Sequence, residues 1–279
     1  MNASRHFTKQ RFLWQPDAWR LLRERNCADY ARQVMPSTVD GMRIQFPETT
    51  VALMGPCVVV TTQAIDGQAL FDLLYEPAKQ MAAVTIGLVA LEAWQRAQIV
   101  GHPFPFFSTV FRLVKGPRVL LHMCRSSKIV SSDQRREFCR LVAFYARAES
   151  ESRVLVHGDM HASHLLVNLA SSSLGFIDLE TVHVGKPATN FAQLWIGYHY
   201  ADPRLGQTFY REYVARFPDM MSAEFDNDVR AELAIRCHRH VCDGMRTGNQ
   251  DMESKARTVL AAVLSGTPFG TSCLSGRLA

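Results

Sequence analysis

The chain has 279 residues and a mass of 31.4 kDa, and 47% of its residues are hydrophobic, which is enough for a sizeable core in one large domain or two lobes. This composition excludes disordered and fibrous proteins. The net charge of +5 comes from scattered lysines and arginines without a basic block, which argues against a nucleic-acid partner.

The cysteines and the apolar runs bear on the compartment. Seven cysteines show no disulfide-framework spacing, and nothing near the N-terminus resembles a signal peptide, so we expect a reducing, cytoplasmic setting. The longest apolar run, residues 81–90, is much shorter than the roughly 20 residues that a membrane span requires. We therefore expect any membrane contact to be peripheral.

The first half of the chain predicts a small lobe rich in strands. Residues 1–45 contain a helical pattern of Trp and Leu and are predicted to form an N-terminal extension. Residues 46–124 are predicted to form a small β-rich lobe with one helix, which begins after Pro77 and carries apolar residues at helical spacing. The predicted strands are 51–54, 57–60, 69–75, 107–114 and 118–123, with a hairpin turn at Asp66-Gly67, and the helix is 78–99.

The second half predicts a larger, mainly helical lobe, residues 125–279. Short strands around two aspartates interrupt its helices. The predicted helices are 133–148 and stretches near 188–200, 206–216, 222–246 and 251–264. The fold class is therefore α+β, with a small antiparallel β lobe and a larger helical lobe.

The most informative residues lie at the start of that second lobe. Asp159 and Asp178 each follow a short apolar strand. Phosphoryl transfer needs one carboxylate near the acceptor hydroxyl and another that holds a metal ion on the phosphates. The two aspartates have the sequence context for these two roles.

The spacing around these aspartates resembles that of the protein-kinase-like superfamily. His157-Gly158-Asp159-Met160-His161 is similar to the catalytic loop of the aminoglycoside phosphotransferase and choline kinase branch, and Ile177-Asp178 is similar to its metal-binding aspartate. His164 stands where most kinases have a metal-binding Asn. A His at that position, followed by Ile-Asp-Leu, resembles the lipopolysaccharide core (heptose/Kdo) kinases.

The resemblance implies a two-lobed kinase-like fold, ATP and Mg²⁺ as cofactors, and a role for each motif residue. Asp159 would orient the acceptor hydroxyl as base, and His157 would organise the loop. For His161, two roles stay open: a contact with the substrate or a structural role. Asp178 would be the principal magnesium ligand, with His164 in the secondary metal position. Glu180 could extend the metal site, bind a sugar hydroxyl or simply be solvated.

Two further segments extend the resemblance to either side of the motif. Residues 101–105, Gly-His-Pro-Phe-Pro, are similar to the junction that follows the first-lobe helix in these kinases. Residues 185–192 are similar to the segment that buttresses the catalytic loop, with Asn190 in place of the usual Asp.

The nucleotide half of the site is less clear from the sequence. The position expected to carry the phosphate-binding lysine, in the strand predicted at 69–75, is occupied by Asp72, and only Gly55-Pro56 lies between the first two strands. We expect Lys79 to replace that lysine and Glu92 to pair with it. A different register would use Lys9 on the strand and Glu24 on the helix.

Two stretches rich in His or Cys could be interpreted as zinc sites. His157, His161 and His164 would lie on one face only in a helix, which Gly158-Asp159 opposes. Residues 237–242, Cys-His-Arg-His-Val-Cys, match no zinc spacing, and in a helix the two cysteines would point apart.

The sequence thus predicts an ATP-dependent phosphotransferase. By resemblance, its acceptor is a sugar hydroxyl of the lipopolysaccharide core, reached by peripheral contact with the cytoplasmic face of the inner membrane. One alternative is a small-molecule kinase of the aminoglycoside or choline type. The other is a pseudokinase, a binding module that has lost catalysis.

Overall fold

The computed structural model describes residues 6–15, 18–100, 129–147 and 153–274. The described chain divides into two compact units. Unit 1 consists of the described residues up to Val100 together with Val154–Val184. Unit 2 consists of residues 129–147, Arg153 and the described residues from Gly185 onward.

Unit 1 begins with a three-stranded antiparallel sheet. Strands β1 (His6–Phe12) and β4 (Thr49–Met54) pair with the two sides of β5 (Cys57–Gln63). The sequence Cys-Val-Val-Val-Thr-Thr of β5 has the β-branched residues that a central strand favours. Gly55 has a φ of +58° in the two-residue turn between β4 and β5. Helix α1 (Ala18–Val34) packs Ala18 and Leu21 onto this sheet, against the buried side chains of Val58 and Val60.

A second sheet in unit 1 joins segments that are far apart in the sequence. Its strand order is β2 (Thr38–Val39), β3 (Met42–Gln45), β9 (Ser173–Phe176), β8 (Leu165–Asn168) and β6 (Gln68–Ala69), with β3 parallel to β9 and the other pairs antiparallel. A two-stranded sheet pairs β7 (Val154–Val156) with β10 (His183–Gly185).

Helix α3 (Gln80–Gln95) is the central helix of unit 1. It follows the short helix α2 (Leu70–Leu74) and a 3₁₀ turn over Pro77–Lys79. Ala and Leu dominate α3 and favour helix, and most of its residues from Ala83 to Trp94 are buried. The Trp94 ring contacts the rings of His157 and Phe176, with centroids 5.2 and 5.5 Å away. The same helix that builds the core therefore supports the loop around Asp159.

Helices make up nearly all of the regular secondary structure described in unit 2. Ser222, Asp202 and Asn249 each cap a helix by accepting a backbone N–H, which explains where these helices begin. An aromatic cluster around Phe191 forms much of the core. The helices are α4 (Ser132–Arg147), α5 (Pro187–Ala201), α6 (Pro203–Arg216), α7 (Ala223–Thr247), α8 (Gln250–Val263) and α9 (Phe269–Leu274).

Most of the predicted elements that fall on described residues are confirmed. The strands predicted at 51–54 and 57–60 are β4 and β5, and the helix predicted at 78–99 is α3, which ends earlier, at Gln95. The helices predicted in the second half correspond to α4 to α8. The strands predicted at 107–114 and 118–123, and the segment 101–105, lie outside the described residues.

The strand predicted at 69–75 is wrong, because Leu70–Leu74 is helical. Leu70, Leu73 and Leu74 are buried, which is the three-and-four spacing of a helix rather than the alternation of a strand. The hairpin predicted at Asp66-Gly67 is also wrong, since β5 pairs with β1 and β4 while β6 pairs with β8. Gly67 serves a close approach instead: a Cβ there would lie 2.9 Å from the carbonyl oxygen of Val167.

The domain boundaries at 45/46 and 124/125 differ from the observed units. Residues 6–12, predicted to belong to an extension, form an integral strand of the first sheet through seven paired positions with β5. Val154–Val184, predicted to belong to the helical lobe, joins unit 1 because β8 and β9 hydrogen-bond to β6 and β3. Among the described residues, no helix combines the length and apolar character of a membrane span.

Candidate active site

The loop after β7 is held in a tight conformation. Gly158 has a φ of +83°, and a Cβ at this position would lie 2.4 Å from the carbonyl oxygen of Thr181. The Thr181 hydroxyl donates a hydrogen bond to the carbonyl oxygen of His157 at 2.9 Å. Only glycine combines this backbone conformation with this contact. The glycine therefore lets the chain pass close to Thr181 and turn Asp159 away from the core.

His157 lies in the core and connects the two acidic segments. Its Nε2–H donates to the carbonyl oxygen of Ile177 at 3.0 Å, and its Nδ1 accepts the N–H of Asp159 at 3.4 Å. Burial, with a smaller contribution from the neighbouring His164, lowers the pKa of the imidazole from 6.5 to about 4. His157 is therefore neutral at neutral pH, and its two hydrogen bonds tie the loop to the Ile177 segment.

Asp178 lies two residues beyond the end of β9 and adopts a left-handed backbone conformation with a φ of +61°. Non-glycine residues seldom adopt this conformation, and it is often found at functional sites. The two carboxylate oxygens of Asp178 have different neighbours. Oδ1 accepts a hydrogen bond from the Lys9 ammonium at 2.5 Å, and Oδ2 lies 3.6 Å from Nε2 of His164.

The structure brings Asp159, His161, His164 and Asp178 together. His164 donates from Nδ1 to the backbone carbonyl of Asp159 at 2.9 Å, and the side chain of Asp159 is 39% exposed. The Asp159 carboxylate lies 3.8 Å from ring nitrogens of both His161 and His164. One ligand atom each from Asp159, His164 and Asp178 lies within 4.8 Å of the others, so these groups can share a cation.

The structure brings Lys9, which the preferred sequence interpretation left out of the site, into contact with Asp178. Lys9 projects from β1, and its Nζ bridges Asp178 and the Glu24 carboxylate, whose Oε2 lies 3.1 Å away. Burial by itself would lower the pKa of the Lys9 ammonium. The hydrogen bond and charge of Asp178, together with those of Glu24, outweigh burial and raise that pKa above 10.5. Lys9 is therefore held as a cation beside the two acids.

The same network shifts the pKa values of its two carboxyls in opposite directions. Burial raises the pKa of Glu24, and the adjacent Lys9 offsets only part of this effect. Burial would likewise raise the pKa of Asp178, but the hydrogen bond and charge of Lys9 lower it below its ordinary value. Asp178 is therefore the more strongly anionic of the two and the better cation ligand.

The pairing of Lys79 with Glu92 is corrected by the structure. Lys79 pairs with Glu76 at 2.6 Å, and Glu92 pairs with Arg96. Lys79 adjoins the first residue of α3 whereas Glu92 lies in its last turn, about 20 Å along the axis at the usual helical rise. The alternative register, with Lys9 and Glu24, is the one that the structure brings to Asp178.

The remaining candidates are placed as follows. Both ring nitrogens of His157 are engaged by the backbone, so the three motif histidines do not form a zinc cluster. Cys237 and Cys242 lie on α7, where Cys237 is buried and Cys242 contacts His238. Glu180 lies in the group of carboxylates around Asp178 and Glu24.

The segment predicted to buttress the catalytic loop lies at the start of unit 2 and of α5. Asn190 is buried there, and Lys186 pairs with Asp228 of α7 at 2.5 Å. Burial raises the pKa of Asp228, and Lys186 opposes this rise. The segment is thus anchored within its own unit by a largely buried ion pair.

Comparison with known proteins finds one family model and several solved structures that are similar to this chain. A model of the phosphotransferase enzyme family matches residues 129–225, which include the whole stretch from His157 to Glu180. A search of curated proteins finds no match. Three solved structures of aminoglycoside phosphotransferases each align with most of the chain.

A thermostable mutant of aminoglycoside phosphotransferase APH(4)-Ia, in ternary complex with AMP-PNP and hygromycin B, aligns with a TM-score of 0.64 and 14% identity over 96% of this chain and 89% of that one. The GDP and kanamycin complex of APH(2")-IIia aligns with a TM-score of 0.53 and 17% identity over 86% and 83%. APH(3'')-Id from Streptomyces rimosus aligns with a TM-score of 0.56 and 16% identity over 80% and 82%.

These comparisons confirm the predicted α+β, protein-kinase-like fold, which is the fold of the aminoglycoside phosphotransferases. The family match and the fold together also support the predicted enzyme class, a phosphotransferase.

Proposed function

We propose that the protein transfers the γ-phosphoryl group of ATP to a hydroxyl group of a small molecule. The observation that carries this proposal is the chain of contacts from Glu24 through Lys9 to Asp178, with His164 and Asp159 beside it. Kinases use a strand lysine that is paired with a helix carboxylate, together with a metal-binding aspartate, to hold a nucleoside triphosphate. All three of these functions have a candidate in unit 1.

On the nucleotide side, Lys9 binds the α- and β-phosphates, and Glu24 holds its ammonium in place. Asp178 supplies carboxylate oxygen to a divalent cation, and the chemistry of that donor fits Mg²⁺. When bound, the cation neutralises charge on the phosphates as the leaving group departs. The raised pKa of Lys9 and the lowered pKa of Asp178 keep both groups charged for these roles.

On the acceptor side, Asp159 orients the hydroxyl nucleophile and takes its proton. The hydroxyl oxygen bonds to the γ-phosphorus while the bond from that phosphorus to the β–γ bridging oxygen breaks, so that ADP leaves with the bonding electron pair. The exposed carboxylate of Asp159 has the access that this step requires. His157 holds the loop through the Ile177 carbonyl and moves no proton, whereas His161 is near enough to Asp159 to contact the acceptor.

The acceptor that the comparisons favour is a small polyhydroxylated or amino-alcohol molecule of the aminoglycoside or choline type. The family match and the fold support this class. A lipopolysaccharide core sugar is the second acceptor, and its support is His164 followed by Ile-Asp-Leu in the sequence. With that acceptor, the protein would work on the cytoplasmic face of the inner membrane by peripheral contact.

The pseudokinase alternative loses one of its arguments. It rested partly on a missing strand lysine, and Lys9 supplies a lysine in contact with both a helix carboxylate and Asp178. The argument from His164, which stands where most kinases have a metal-binding Asn, remains.

The deciding experiment measures transfer of labelled γ-phosphate from ATP to a panel of acceptors. The panel contains aminoglycosides, choline-type amino alcohols and a heptose- and Kdo-containing glycolipid, each tested with Mg²⁺ and with Mn²⁺. We expect phosphorylated product with a water-soluble acceptor of the first two classes. Product with the glycolipid alone would shift the assignment to the core sugar. The absence of both product and metal-dependent ATP binding would favour the pseudokinase.

A further inference from the structure

We infer that His164 supplies a nitrogen ligand to the metal position of this site, so that the site prefers a divalent first-row transition metal, such as Mn²⁺ or Co²⁺, over Mg²⁺. The inference deepens the proposed phosphotransferase function and rests on it for the location of the metal. It concerns the identity of the cation, which neither the family match nor the similar folds assign.

The tautomer of His164 follows from its hydrogen bond. Nδ1 lies 2.9 Å from the carbonyl oxygen of Asp159, and a carbonyl oxygen can only accept. Nδ1 therefore carries the proton, and in the neutral ring the lone pair lies on Nε2. This arrangement is the one found in metal-binding histidines, whose second ring N–H is held by a carbonyl or carboxylate.

Nε2 of His164 points toward the oxygen of Asp178 that Lys9 does not occupy. Nε2 and Oδ2 of Asp178 are 3.6 Å apart, which is too long for a hydrogen bond. Two ligands that each lie about 2.1 Å from one ion are separated by roughly 3.0–3.5 Å for bond angles between 90° and 110°. The observed separation is close to that range. Lys9 holds Oδ1, so Oδ2 can bind the cation while the Lys9 contact stays in place.

The chemistry of the two donors then selects the cation. Mg²⁺ binds oxygen ligands almost exclusively, whereas first-row transition metals accept an imidazole nitrogen beside a carboxylate. Asp178 fits either kind of cation, and His164 fits only the second. Mn²⁺ generally binds most weakly among the first-row metals, so a preference for Mn²⁺ over Mg²⁺ is the most demanding form of the inference.

The test measures binding of Mn²⁺ and of Mg²⁺ to the full chain, with and without ADP, together with pulsed EPR of the bound Mn²⁺. We expect Mn²⁺ to bind about tenfold more tightly than Mg²⁺. The EPR signal should show coupling to a ¹⁴N nucleus, and growth with ¹⁵N-labelled histidine should change that coupling to the ¹⁵N pattern. This measurement uses the unaltered protein and is independent of any loss of folding in a variant.

His164→Asn replaces the nitrogen ligand by an amide oxygen and should remove the nitrogen coupling and the preference for Mn²⁺. His183→Asn is the matched control, because the Nδ1 of His183 also donates to a backbone carbonyl, that of Thr181 at 2.9 Å. It should leave both the coupling and the preference unchanged.

Bound Mn²⁺ without nitrogen coupling, or equal affinity for the two ions, overturns the inference, and so does the absence of Mn²⁺ binding. If Mg²⁺-dependent phosphoryl transfer persists in that case, the proposed function stands without the nitrogen ligand. Nitrogen-coupled Mn²⁺ without any phosphoryl transfer would support the metal site and contradict the proposed function.

Discussion

The two halves of the candidate site are built in different ways. The acceptor and metal residues, from His157 to Asp178, lie on one short stretch of loop and strands, and their contacts are mostly local. The lysine half comes from β1 and α1, and Lys9 is 169 positions from the aspartate that it contacts. Residues that are close in the chain form a motif with a recognisable spacing. Lys9 and Glu24 form no such motif with Asp178, because only the packing of β1 and α1 brings them together.

The largest expected effect is a loss of turnover when the base of the acceptor half, Asp159, is replaced. Asp159→Asn should lower kcat about 1,000-fold, which corresponds to an activation free energy about 4 kcal/mol higher, because the acceptor hydroxyl loses the group that orients it and takes its proton. Circular dichroism and the free energy of unfolding should change little, since the carboxylate is partly exposed. Asp251→Asn, on the exposed first turn of α8, is the control. Undiminished turnover in the Asp159 variant would contradict the role of this half.

His157 connects the two acidic segments, and the pH dependence of the free energy of unfolding tests whether the folded protein keeps it neutral. Burial lowers the pKa of His157 to about 4, so between that value and 6.5 the unfolded chain binds a proton that the folded chain does not. The stabilisation from keeping this histidine neutral is therefore complete above pH 6.5 and is lost as pH falls toward 4. The loss should amount to about 3 kcal/mol.

His157→Gln provides the comparison, because glutamine keeps a donor for the Ile177 carbonyl and does not titrate. Urea unfolding at several pH values between 4.5 and 7 should show a steeper fall in stability for the native protein than for the variant. Glu24, with its raised pKa, is present in both proteins, and its contribution cancels in the difference. Parallel curves would mean that His157 is not held neutral.

The lysine half is tested by a pair of matched substitutions. Lys9 and Lys79 have similar side-chain exposure, 39% and 40%, but only Lys9 contacts Asp178 and Glu24. Lys9→Met should lower kcat/KM for ATP about 10- to 100-fold, as expected for the loss of a charged hydrogen-bonding group worth about 2 kcal/mol. Lys79→Met should leave it nearly unchanged. The reverse result would restore the register with Lys79 and Glu92.

The smallest expected effect concerns the close packing of the acceptor loop. Gly158 and Gly41 both have positive φ values, +83° and +75°, but a Cβ would meet Thr181 at the first position and open space at the second. Gly41→Ala should cost about 1 kcal/mol from backbone strain alone. Gly158→Ala should cost about 1–2 kcal/mol more and reduce turnover as well. If urea unfolding showed the same loss of unfolding free energy for both variants, Thr181 would have moved aside without a measurable cost.

The sequence predicts the elements with regular periodicity and the short-range part of the site. The run of apolar residues in α3 and the caps of the unit 2 helices are local signals, and so is the spacing of Asp159, His164 and Asp178. Leu70–Leu74 shows where such signals are ambiguous, because five mostly apolar residues fit a short strand or a single helical turn. Burial of three leucines on one side decided the outcome.

By itself, then, the sequence determined the fold class, which local periodicity indicates, and the grouping of the two aspartates with the loop histidines, which lie near one another in the chain. Only the tertiary structure decided which lysine belongs to the site. Lys9 faces Glu24 because β1 pairs with β5 and α1 packs on the same sheet, and it meets Asp178 because Val154–Val184 is built into unit 1. These relations depend on strand pairing and helix packing between distant segments, and no spacing along the chain encodes them.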